Sequence, residues 1–125
     1  MKVESFFSDT LYHYAKNKLM QGFYGWLFKQ ELNELKNILR EEKEIVPQIN
    51  RQYADEDIQK IPRYLREIIV DYLPQIKDKL IRDTIQDLAN DDKYHVLVKV
   101  NKPYLYELLE RSLNMLYLRT RESLD

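Results

Sequence analysis

Residues 65–88 read LREIIVDYLPQIKDKLIRDTIQDL, and the spacing of their apolar positions decides the class of fold. Leu65, Ile68, Ile69, Tyr72 and Leu73 recur at steps of three and four, which gathers them on one stripe of a helix. Pro74 removes a ladder donor inside this pattern, so a kink or short break is predicted there. The stripe resumes at Ile76, Leu80, Ile81, Ile85 and Leu88. Asp78 with Arg82 and Lys79 with Asp83 are opposite charges four apart, pairs that support the solvent face of a helix. Upstream, Asp55-Glu56-Asp57 suits the positive end of a helix dipole, and Pro62 is tolerated in a first turn. Asn90-Asp91-Asp92 closes the helix.

Towards the N-terminus, Phe7, Leu11, Tyr14, Ala15 and Leu19 predict a helix from about Glu4 to Met20, with Gln21-Gly22 as its stop. A second helix is predicted from Phe23 to Ile45 on a stripe of Phe28, Leu32, Leu35 and Leu39, ended by Pro47, with residues 47–54 as a loop. Towards the C-terminus the period changes. Tyr94, Val96, Val98 and Val100 alternate with His95, Leu97 and Lys99, which predicts a strand over 94–100. A lone strand needs a partner, either the 47–53 segment or another chain, unless it is an extended connector. The last helix is predicted from Pro103, on Leu105, Leu108, Leu109, Leu113 and Leu116. The expected fold is mainly α, a single-domain helical bundle of four to five helices with at most one short β element. Leu32, Leu35, Ile69, Leu80, Leu109 and Leu113 are its expected core.

Composition agrees with this class. A chain of 125 residues fits one domain, and 44% hydrophobic residues suffice for a core while 33% charged residues solvate the outer faces. Only two glycines interrupt it, so long stretches are free to be helical. With no cysteine, disulfides, thiolate zinc sites and a cysteine nucleophile are excluded. A net charge of −1 supplies no global field towards nucleic acid or an anionic membrane. No apolar run is long enough to span a bilayer, and Met1 to Ser5 lacks the pattern of a signal peptide. The expected location is therefore the cytoplasm.

No constellation of residues points to catalysis, a metal or a cofactor. His13 and His95 stand alone, two glycines cannot build a phosphate loop, and Ser5, Ser8, Ser112 and Ser123 lack a nucleophile elbow. Acid pairs such as Glu41-Glu42 and Asp91-Asp92 read as helix-end charges. The aromatic residues are more informative. There are ten tyrosines, and Phe23, Tyr24, Trp26 and Phe28 cluster around Gly25. Tyrosine and tryptophan favour interfaces. Tyr24, Trp26, Tyr104, Leu108 and Met115, with Val98 on the strand edge, are the candidate interaction residues. Arg63 and Arg66 flank Tyr64, and Lys16 and Lys102 lie near tyrosines, which leaves a local nucleic-acid surface open.

Taken in order, residues 19–124 resemble the helical domain of the GINS family, archaeal-type subunits of a replication complex. The likeness rests on Phe23-Tyr24, Leu27, Glu31, Leu32 and Leu35, then Tyr72-Leu73, Lys77, Lys79-Leu80 and Arg82, then the helix from Tyr104 to Arg121. The chain departs from the family in carrying lysines and Pro74 in the central stretch, and in having one candidate strand in place of a small β domain. The resemblance implies sister replication subunits and the helicase as partners, with polymerase or primase beyond them. Residues and resemblance together predict a non-catalytic protein-interaction subunit or a homo-oligomer. The alternative is a small helical nucleic-acid-binding module, such as a subunit of an RNA-guided defence complex or a viral regulator.

Overall fold

The computed structural model describes the backbone of residues 3–38 and 55–125 and the side chains of residues 10–33 and 58–125. Its order is α1 (Val3–Ile38), a 3₁₀ stretch (Asp55–Lys60), α2 (Arg63–Ala89) and α3 (His95–Ser123). Each α-helix packs on the other two, and the 3₁₀ stretch packs on α3. Mainly α is the class expected; three helices replace the expected four to five among the described residues.

Expected helices one and two are the single helix α1. Its buried stripe is Leu11, Ala15, Leu19, Phe23, Leu27 and Glu31, in unbroken steps of four. This stripe runs straight past Gly22 and Gly25, neither of which takes a positive φ. Glycine in a helix interior costs only about 1 kcal/mol, less than the roughly 1.5–3 kcal/mol from burying one large apolar side chain. The expected face was off by one residue. Phe28 is exposed and Leu32 half-buried, while Phe23 and Leu27 are sealed. The side chain of Leu35, residue Leu39, the expected stop at Pro47 and the 47–54 loop lie outside the described residues.

α2 begins one residue later than a first-turn proline requires. Pro62 is the N-cap, with φ −52° and ψ 144°, and its carbonyl accepts from the amides of Leu65 and Arg66. The buried positions are Leu65, Ile69, Leu73, Ile81, Thr84, Ile85 and Leu88. Pro74 is exposed and the helix continues through it without a break. Next to it, the Gln75 side-chain amide donates to the Asp71 carbonyl at 3.2 Å. Asp91 then builds the turn into α3. Its carboxylate accepts from the Lys93 amide at 2.9 Å and its carbonyl from the amides of Tyr94 and His95. α1 closes over this turn, with Tyr14 stacked on Tyr94 at 4.5 Å.

The expected strand over 94–100 is the first turn and a half of α3. Of the four alternating residues, Tyr94 and Val98 are buried, whereas Val96 and Val100 are exposed. Tyr94 and Val98 are four apart, so one helix face carries both, and the face continues at Leu105, Leu109, Leu113, Leu116 and Thr120. Burial on that face outweighs the helix-propensity deficit of valine, a few tenths of a kcal/mol per residue. Pro103, the expected start of the last helix, lies inside it. Across the α2–α3 contact Tyr106 donates to Asp78, and Lys77 pairs with Glu110 at 3.3 Å. Of the expected core, Ile69, Leu109 and Leu113 are fully buried and Leu80 is half-buried.

Candidate functional site

The outer face of α3 gathers four of the exposed large apolar side chains among the described residues. Val100, Tyr104, Met115 and Leu118 are exposed, and Leu108 is half-buried. Their spacing of four, four, seven and three keeps them on one stripe, away from the buried face of the same helix. The stripe spans about 27 Å at 1.5 Å per residue. Single exposed apolar residues are ordinary, whereas here four share one helix face, interrupted by Arg111 between Leu108 and Met115. α1 forms one bank: Tyr12 and Lys16, with Leu108 and Met115, line a shallow hollow of about 200 Å³. The Tyr12 and Ser112 hydroxyls, 2.9 Å apart, hold this bank in place. Arg111 lies on the stripe and pairs with Glu107 at 2.8 Å.

The candidate interaction residues therefore divide. Tyr104, Leu108 and Met115 come together on this face. Tyr24 is buried and packs edge-on to Phe23 at 5.2 Å, and Trp26 is half-buried beside the same ring at 6.0 Å. Val98 is sealed in the core, and with no strand at 94–100 there is no edge for it to extend. Val100 and Leu118 were missed as members of the face. Reading 94–100 as a strand grouped Val100 with Val98, whereas steps of four from Val100 lead directly to Tyr104 and Leu108.

The basic residues around Tyr64 are occupied. Arg66 donates to the Ile61 carbonyl at 3.0 Å and, across the bundle, to the Ser123 carbonyl and hydroxyl at 3.1 and 2.9 Å. Arg63 reaches the Leu124 carbonyl at 3.2 Å. Both clasp the negative end of the α3 dipole. Tyr64 donates to the buried carboxylate of Glu31 at 3.3 Å. His13 and His95 are exposed, and among the described residues no group of three or more His, Asp or Glu side chains is placed to hold a metal ion. No described helix is long and apolar enough to cross a membrane.

No family model, curated protein or solved structure matches this chain.

Proposed function

We propose that this protein is a non-catalytic interaction subunit that works through the outer face of α3, with a second copy of the chain as occupant. The observation that carries the reading is the stripe of exposed Val100, Tyr104, Met115 and Leu118 with half-buried Leu108 among them. The stripe is self-complementary when two copies of α3 run antiparallel about a two-fold axis near residues 109–110. Tyr104 of one copy then meets Met115 of the other, a favourable aromatic–thioether pairing. It enters the hollow that Tyr12 and Leu108 flank. Val100 falls beside Leu118 and Arg119, and Leu108 beside Arg111. A two-fold contact of this kind is the commonest oligomeric arrangement.

The area sets the strength. A stripe of about 27 Å by one helix width covers roughly 270–320 Å² per copy, less than half of the ~800 Å² of a standard interface. Pairing is therefore weak and reversible, with a dissociation constant on the order of micromolar or above. The resemblance to GINS helices extends the same reading to a sister replication subunit, whose helix would take the place of the second copy. Sedimentation velocity over a concentration series tests the proposal. The wild-type chain should shift from monomer to dimer, and Tyr104→Glu with Met115→Glu should stay monomeric with unchanged helix content. A monomer at all concentrations, or an assembly untouched by the double substitution, overturns it.

A further inference from the structure

We propose that the cleft between α2 and α3 binds an acidic amphipathic helix of a partner protein, a site separate from the outer face of α3. The cleft measures about 920 Å³, and its lining comes from α2 and α3 with none from α1. A helix laid there becomes a fourth member of the bundle, packed against a side of the α2–α3 pair that α1 does not line. The wall from α3 is His95, Lys99, Lys102 and Tyr106, a stripe of about three turns at steps of four, three and four. Arg82 and Gln86 form the wall from α2, and Ile85, Ala89, Val98 and Pro103 give an apolar floor.

Charge identifies the occupant. Asp78 is the only acid in the lining, and it is committed: Arg82 pairs with one oxygen at 2.8 Å and Tyr106 donates to the other. Lys99 and Lys102 are exposed and have no ion-pair partner among the described residues. An elongated apolar floor under a cationic rim complements a helix with an apolar face and carboxylates on its flanks, the helix-in-groove mode of recognition. Single-stranded nucleic acid fits less well, because it needs free aromatic faces for stacking. The sole tyrosine, tryptophan or phenylalanine of the lining is Tyr106, whose hydroxyl is tied to Asp78.

The test uses the full chain and three labelled probes followed by fluorescence anisotropy at low and high salt. One is a peptide of about four turns, a length marginal as a free helix and therefore held helical by a staple, with leucine and alanine on one face and glutamate on both flanks. The second has lysine for each glutamate, and the third is a mixed-sequence single-stranded oligonucleotide. The glutamate peptide should saturate the protein, more weakly as salt rises, and the lysine peptide should not bind. Lys99→Glu with Lys102→Glu should weaken the glutamate peptide on the order of tenfold, as two exposed attractions become repulsions, and should admit the lysine peptide. Both positions are exposed, so helix content should be unchanged. Absence of saturable binding by the glutamate peptide, or binding that the charge reversal does not move, overturns the proposal. So does preferential uptake of the oligonucleotide that the same reversal abolishes.

Discussion

Alanine at the three valines of residues 96–100 separates a helix from a strand, because the two conformations pair these side chains differently. A strand puts Val96, Val98 and Val100 on one face, with equal claims on burial. In α3, Val98 is 1% exposed, against 59% for Val96 and 74% for Val100. Val98→Ala removes two buried carbon groups, about 1.6 kcal/mol at ~0.8 kcal/mol each. The cavity left behind raises the loss towards about 2.5 kcal/mol. At Val96 and Val100 there is little burial to lose, and alanine is the better helix former by up to ~0.7 kcal/mol. The sign therefore reverses: Val98→Ala destabilises, whereas Val96→Ala and Val100→Ala are neutral or stabilising. Urea melts followed by circular dichroism, at protein concentrations low enough to exclude self-association, read this directly. With an m-value of ~1–3 kcal/mol/M, the Val98 midpoint should fall by about 1 M and the other two should stay level or rise. Comparable losses at all three positions would refute the helix over 95–100.

Leu113→Ala should cost about 2–5 kcal/mol, as expected of a fully buried leucine, while Leu118→Ala, half-exposed on the same helix, should stay within about 0.5 kcal/mol of wild type; both are read from urea melts. Gly25→Ala should raise stability by roughly 0.5–1 kcal/mol, because a Cβ at Gly25 meets nothing within 4 Å. Tyr106 should titrate above its ordinary pKa of 10.0, chiefly because its hydroxyl donates to Asp78, with burial adding to the effect. A raised phenol pKa stabilises the fold fully below the unfolded value and loses that contribution as pH rises through the folded one. The stability gap between wild type and Tyr106→Phe should thus hold steady at neutral pH and close in alkali, where ultraviolet absorbance reports the phenolate.

The helical class was legible because its signal is periodic and repeated: Leu65, Ile69, Leu73, Ile81, Ile85 and Leu88 all fall where their spacing put them. The two misread element boundaries, at Gly22 and at 94–100, share one cause. Gly22 and the Val96–Val100 alternation are local signals, and each was overridden by a burial stripe that extends beyond it. Leu19 to Leu27 carries α1 past Gly22, and Val98 to Leu109 carries α3 back to His95. Half of the candidate site was legible. Tyr104, Leu108 and Met115 were singled out because the last helix carries apolar residues on more than one face, but side-chain type could not separate the buried Tyr24 from the exposed Tyr104. Nor does charge counting show that Arg63 and Arg66 are spent on the end of α3, since the contact spans 57 to 61 residues of sequence. The α2–α3 cleft was illegible for the same reason: His95, Lys99 and Lys102 form a stripe only once 95–100 is helical.

The absence of cysteine makes disulfide trapping the most direct measurement of α3 pairing. Single-cysteine variants Arg111→Cys and Leu118→Cys, both at exposed positions, are oxidised at equal concentration and resolved on a non-reducing gel. In antiparallel α3 pairs, the two copies of residue 111 lie about 5 Å apart along the helix axis, and those of residue 118 about 26 Å apart. Arg111→Cys should give a covalent dimer that the Tyr104→Glu and Met115→Glu substitutions suppress, and Leu118→Cys should remain monomeric. Equal trapping of both cysteines, or none at Arg111→Cys, would contradict antiparallel docking through this face.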